Sequence, residues 1–201
     1  MTKRVYISAD YAEKDGDRDV VEVLTRWGSD NMHKVDFVDM AQVVSGSVSQ
    51  NPDCRACDLK SEFNRQINAS SVVIFVIGKN TAIRKAGSKC SFENRSEFPC
   101  KCTPYKGNRN GVQYCKYTNA KPAVNDIGNI NNFSYLEHEF KEAIFKNKRI
   151  IILYNSLNKK EDWLPAYMRD YVELAVPFWI KNKYNERVGN YEYIKQALET
   201  D

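Results

Sequence analysis

The strongest constraint in this 201-residue chain is a continuous apolar run, Val72-Val-Ile-Phe-Val-Ile77, within the segment Ser71–Ile77. Its length is that of a strand, and it has no polar face. A half-exposed strand alternates apolar and polar residues. A strand apolar on both faces belongs in the middle of a parallel sheet covered on each side by helices. A second run of the same kind, Arg149-Ile-Ile-Ile-Leu-Tyr154, repeats the demand.

The rest of the chain supplies the helices and the other strands. Lys3-Arg-Val-Tyr-Ile-Ser8 reads as a strand with Val5 and Ile7 on one face. Asp19 to Trp27 reads as a helix through Val20, Val23, Leu24 and Trp27. Val35 to Asp39 reads as a second strand, and Asp58 to Ile67 as a helix with Leu59, Phe63 and Ile67 on one stripe. Ser134 to Asn147 reads as a third helix. A short helix around Pro165 spans Trp163 to Tyr171, one short strand falls within Val172 to Ile180, and Tyr191 to Leu198 closes the chain as a helix. Strands alternating with helices imply right-handed βαβ crossovers. The expected architecture is a single α/β domain over residues 1–201, a flavodoxin-like three-layer fold. Its central, mostly parallel five-stranded sheet carries helices on both faces.

Two stretches break the alternation. Ala41 to Cys57 is a long connection. Residues 84–132 form an insertion without a sustained apolar period, and segments of that length usually carry a function or a stabilising device of their own. Arg84 to Lys121 holds nine basic residues against Glu93 and Glu97, a local charge of +7 within a chain of +4. The remainder is therefore at −3, and the basic balance belongs to this segment alone. Its interleaved aromatics would suit stacked bases, but a solvated loop is the preferred account of the charge, so nucleic acid is not the expected partner.

The six cysteines sit in a chain that opens without the apolar core of a secretory signal. Reduced thiols or metal ligands are expected rather than disulfides, and a cytoplasmic location with them. Cys90, Cys100, Cys102 and Cys115 lie within twenty-six residues of the coreless insertion, and Cys54 and Cys57 form a C-x-x-C. Four thiolates could hold a structural zinc that compensates for the missing core; unpaired thiols are the alternative. No apolar run approaches the ~20 residues that span a bilayer. Neither a Walker-type nor a G-x-G-x-x-G run is present.

In open parallel sheets the ligand crevice lies beyond the carboxyl ends of the strands. That rule points to Ser8-Ala-Asp10-Tyr11, Asp39-Met-Ala41, Gly78-Lys-Asn-Thr81 and Asn155-Ser-Leu157. On the third helix, Ser134 and Glu137 fit a capping box. Leu136, Phe140, Ala143 and Ile144 form the expected buried stripe. Glu137, Lys141 and Glu142 are expected to lie away from it, and His138 on the outer face. Glu139 falls at the edge of the apolar arc, one turn after Tyr135. A helical glutamate is ordinarily a solvated charge, Tyr135 a core or rim aromatic, and Asp10 a turn cap.

These same residues carry a resemblance. TIR domains have a helix reading roughly S-x-W-C-x-x-E followed by a β-rich strand, and a first strand reading y-D-v-F-I-S. The chain is more closely similar to the TIR-like family of the bacterial Thoeris anti-phage system (ThsB-type), which opens K-R-V-F-F-S-F-x-Y and has a helix reading W-V-x-x-E-I-x-x-S-I-x-K-G-x-K-I-I. On that pattern Tyr135 takes the Trp position and Glu139 the glutamate position, and Ile77-Gly-Lys-Asn-Thr81 resembles the family's I-G-x-x-T. The resemblance covers residues 3–83 and 133–200. It departs at Tyr135 and across Ile83 to Asn132, which is far longer here.

The resemblance implies cleavage of NAD at the nicotinamide–ribose bond, with hydrolysis or cyclisation of the ADP-ribose part. Glu139 is then the catalytic carboxylate. Ser8, Asp10, Tyr11, Asp39, Thr81 and Tyr135 are the expected NAD-binding residues. A homo-oligomer is expected, and a downstream effector reached through a diffusible nucleotide. A non-catalytic TIR-like interaction module, binding through Ala41 to Cys57 at the position of the family's BB loop, is the competing implication.

Overall fold

The computed structural model describes residues 3–30, 37–39, 52–85 and 134–199. Three six-residue strands form the centre of the sheet: β1 (Lys3–Ser8), β3 (Val72–Ile77) and β4 (Arg149–Tyr154). Two three-residue strands flank them, β2 (Phe37–Asp39) and β5 (Ala175–Pro177). The order is β2-β1-β3-β4-β5, and every pair is parallel. This is the order of flavodoxin-like doubly wound sheets, with the reversal between β1 and β3.

All six residues of β3 are buried, as its apolar run requires. Its alternate residues feed two separate cores. Val72, Ile74 and Val76 join Val5, Ile7, Ile151 and Leu153 on one face. That face is covered by α1 (Arg18–Ser29) through Val20, Leu24 and Trp27, and by α4 (Tyr191–Glu199) through Ile194 and Leu198. Val73, Phe75 and Ile77 join Tyr6, Ile152 and Tyr154 on the other face. There α2 (Pro52–Ala69) contributes Ile67, and α3 (Tyr135–Phe145) contributes Phe140 and Ala143. Each fully buried side chain of this size contributes about 1.5–3 kcal/mol. A one-residue slip of β3 would exchange its two apolar sets between helix layers that differ in shape.

Local chemistry sets several boundaries. α2 starts at Pro52, whose missing N–H costs nothing in a first turn. It thus begins inside the expected Ala41–Cys57 connection. α3 ends with Asn147 in the left-handed region (φ 50°), and the N–H of Lys148 returns to the carbonyl of Ala143. Asn tolerates that conformation at low cost and turns the chain into β4.

The expected helix around Pro165 is two 3₁₀ segments, η1 (Glu161–Trp163) and η2 (Ala166–Leu174). Leu164 is extended between them, as the residue before a proline tends to be. After β5 a small antiparallel hairpin follows, β6 (Trp179–Lys181) and β7 (Arg187–Gly189), turning at Asn185 (φ 64°). Gly189 lies against the Trp27 ring, where an added Cβ would sit 2.6 Å from it.

Cys90, Cys100, Cys102 and Cys115 lie outside the described residues, as does nearly all of the 84–132 insertion. Cys54 and Cys57 are on α2, and their side chains are likewise outside. Among the described residues, no helix is long and apolar enough to cross a membrane.

Candidate functional site

The site begins with the pleat of β1. Tyr6 and Ser8 are two residues apart and point to the same sheet face, the one covered by α2 and α3. Across that face α3 presents Glu139. The Tyr6 hydroxyl donates to Glu139 Oε1 at 2.8 Å, and the Ser8 hydroxyl donates to Oε2. Glu139 is 4% exposed. Burial pushes its carboxyl up to about 7, while the Ser8 and Tyr6 hydroxyls oppose the rise by bonding the charged form.

The expected rim glutamate is therefore a buried one, and the burial pattern of α3 differs from its expected stripe. His138, Glu139 and Glu142 are buried beside Leu136, Phe140 and Ala143, whereas Ile144 is 36% exposed. The reason is that α3 packs against α2 as well as the sheet, so the covered arc is wider than one stripe. His138, expected on the outer face, sits on that second contact with its Nε2 2.6 Å from Asn64 Oδ1. Of the expected capping box, Ser134 accepts from the N–H of Glu137, but the Glu137 carboxylate pairs with Lys141 at 2.7 Å.

Glu139 lies at the edge of a cavity of about 430 Å³. One wall is aromatic: Phe63 packs edge-on to Tyr135 (centroids 5.5 Å apart) and tilts against Tyr6 (6.4 Å). Leu59, Tyr11 and Ala12 extend the lining, and Asp10, Arg84 and Lys85 supply its charged part. The volume is within the range of small-molecule sites, and the lining is mostly apolar with a few polar groups, as in such sites.

Four of the expected residues thus converge: Asp10, Tyr11, Tyr135 and Glu139 share the cavity, and Ser8 is bonded to Glu139 behind it. Asp10 also has the expected turn role. Its Oδ1 accepts from the N–H of Ala12, and its Oδ2 pairs with Arg84 Nε at 2.6 Å. Thr81 does not reach the cavity lining. It is buried, and its hydroxyl accepts the N–H of Gly78, closing the turn after β3. Asp39 ends β2 in register with Val5, and its side chain lies outside the described residues.

Tyr6, Phe63 and Arg84 were not expected here. A tyrosine in a buried strand needs a partner for its hydroxyl, and that need was the available signal for Tyr6. Arg84 reads in the sequence as the first charge of a basic segment. In the fold its guanidinium bridges Asp10 and Asp15, so two carboxylates compensate it.

A second polar group lies on the opposite face, around Asp17 at the start of α1. Asn155 donates to Asp17 and Asp19, accepts from Trp179 Nε1, and accepts from Arg187, which stacks on Trp179 at 3.8 Å. Burial raises the Asp17 carboxyl to about 6 against the opposing Asn155 bond. Gly78 leaves the room this carboxylate occupies.

A carboxyl poised near 7 in an apolar cavity can hold a positive charge or take up a proton at neutral pH. Among the described residues no group of three or more His, Cys, Asp or Glu side chains is arranged to hold a metal ion. No family model matches the chain, and neither a curated protein nor a solved structure matches it.

Proposed function

We propose that the protein is a TIR-like enzyme that cleaves NAD at the nicotinamide–ribose bond and releases a nucleotide signal of the kind used in anti-phage defence. The observation that carries this reading is the buried Glu139 carboxyl at an aromatic-walled cavity near the carboxyl end of β1. The similarity of the Tyr135–Glu139 helix and of β1 to the Thoeris TIR-like pattern supplies the choice of substrate.

In this reading the bond from ribose C1′ to the pyridinium nitrogen breaks, and its electron pair leaves with nicotinamide. Positive charge develops on the ribosyl centre. The Glu139 carboxylate faces that charge from a site of low dielectric, where its stabilisation is strongest. Water then adds at C1′ and releases a proton, giving ADP-ribose; attack by a nitrogen of the adenine gives a cyclic product instead. Tyr11, Phe63 and Tyr135 offer ring faces and edges to the planar bases. Asp10, held by Arg84, offers a carboxylate oxygen to ribose hydroxyls.

The test is incubation of the full chain with NAD, alone and with lysate of infected cells, with products resolved by mass spectrometry. Nicotinamide release by the wild type and its loss in Glu139→Gln is the expected result, with a rate drop on the order of 10²–10³. Full activity in Glu139→Gln overturns the assignment. A wild type that cleaves NAD under neither condition would favour the interaction-module reading.

A further inference from the structure

We propose that Tyr6 and Ser8 are positioning residues of this site: two hydroxyls on one face of β1 that hold both oxygens of Glu139 and keep its negative charge available to the cavity. The inference rests on the reading of Glu139 as the reactive carboxyl.

The geometry is specific. A carboxylate offers about four lone-pair directions on its two oxygens. One direction on each oxygen is taken from the β1 side, by Tyr6 at Oε1 and by Ser8 at Oε2. The side chain is thereby fixed in rotation, and its remaining acceptor directions are left for the cavity. A hydroxyl donates more strongly to a charged carboxylate oxygen than to a neutral one, so protonation would weaken both bonds. The two hydroxyls therefore oppose the neutral form that burial favours. They stand two residues apart on a strand whose centre is locked into the sheet, and rigid elements hold such geometry better than loops do.

The other titratable or charged groups around Glu139 come from every neighbouring element. Asp10 follows β1 and is paired with Arg84, and Lys85 follows Arg84 after β3. Glu62 on α2 is paired with Arg65. Tyr135, His138 and Glu142 lie on α3 itself, and Tyr167 approaches from η2. The substitutions below leave all of these in place.

The experiment needs no substrate. The protonated-carboxyl stretch of the full chain is followed by infrared titration, with Glu139→Gln subtracted to assign the Glu139 band. The wild-type midpoint is expected near 7. Ser8→Ala and Tyr6→Phe should each raise it by about one pH unit, the scale of one lost charge-assisted bond. Ser8→Thr should restore it. Tyr6→Phe keeps the ring against Phe63, so it carries the expectation alone if Ser8→Ala does not fold. Midpoints unmoved in every folded variant overturn the proposal. Absence of NAD cleavage would remove the functional reading and leave the titration standing. Loss of cleavage in Glu139→Gln with unmoved midpoints would remove only the role of the two hydroxyls.

Discussion

Replacing Glu139 by Gln should make the protein more stable at alkaline pH. The folded-state carboxyl titrates near 7 against an ordinary value of 4.5, because burial disfavours its charge. Below pH 4.5 the folded and unfolded chains both hold the proton, and the group contributes nothing. Between 4.5 and 7 the unfolded chain gives up its proton while the folded chain keeps it. Stability therefore falls as pH rises through that window, and the full penalty persists above it. At 1.36 kcal/mol per unit, the penalty at pH 8 is about 3 kcal/mol. Gln removes it. The amide replaces one acceptor by a donor, so the Tyr6 or Ser8 hydroxyl must turn to accept, at about 1 kcal/mol.

The net effect changes sign with pH. Glu139→Gln should be less stable than wild type by about 1 kcal/mol at pH 4 and more stable by about 2 kcal/mol at pH 8. In a chain of this size the latter corresponds to a rise in Tm of about 4–8 °C. Thermal melts of both proteins at pH 4, 5, 6, 7 and 8 supply the comparison. A difference in Tm that does not vary with pH would refute the reasoning, because it would mean that Glu139 is not held as a neutral acid in the fold.

Asp17→Asn should act in the same direction over a lower window. Its carboxyl titrates near 6 rather than 3.8, so the variant should gain up to about 2–3 kcal/mol in urea unfolding at pH 7, less about 0.5 kcal/mol of lost charge at the start of α1, and no charge-related gain at pH 3.5. Trp27→Ala should cost about 3–5 kcal/mol, since the ring packs on Phe178 and edge-on to Tyr191 in one core. Gly189→Ala should cost about 1–3 kcal/mol and shift tryptophan fluorescence, because its Cβ meets the Trp27 ring at 2.6 Å. If NAD is cleaved, its rate should rise with pH through about 7 as Glu139 ionises, and a flat profile from pH 5 to 9 would exclude the carboxylate as the group that faces the developing charge.

The layers of the fold were legible because they rest on simple periods. β3 and β4 read as continuous apolar runs, and α1 and α4 face one sheet surface with clear stripes. The hairpin of β6 and β7 was not legible. Three-residue strands are too short for an alternation to register, and only Asn185, placed where a positive φ is needed, marked the turn. The periodic reading failed on α3 for a different reason. It assumes one covered face, and α3 has two. His138 and Glu142 therefore read as solvated and are buried, while Ile144 reads as core and is exposed. A polar residue buried by a second helix leaves no trace in an apolar period, since its compensation is a partner such as Asn64, seventy-four positions away.

The site shows the same division between local and distant information. Glu139 and Tyr135, which share the cavity, are legible as a pair because they lie one turn apart on one helix, within a pattern of few residues. Asp10 and Tyr11 are legible as cavity-lining residues because the ends of parallel strands face the crevice. What turns Glu139 from an ordinary helical charge into a carboxyl titrating near 7 is its burial, and the two hydroxyls that oppose that rise come from β1, more than 130 residues earlier. The strand reading of β1 did contain half of that information. It put Val5 and Ile7 on one face, which leaves Tyr6 and Ser8, both hydroxyl-bearing, on the other. Two hydroxyls at alternate positions of a strand bound for a buried sheet require acceptors, because an unsatisfied buried hydroxyl costs about 1–3 kcal/mol. In a doubly wound sheet the helices covering that face must supply them. A carboxylate on a covering helix answers the requirement, and Glu139 is where the two partial readings meet.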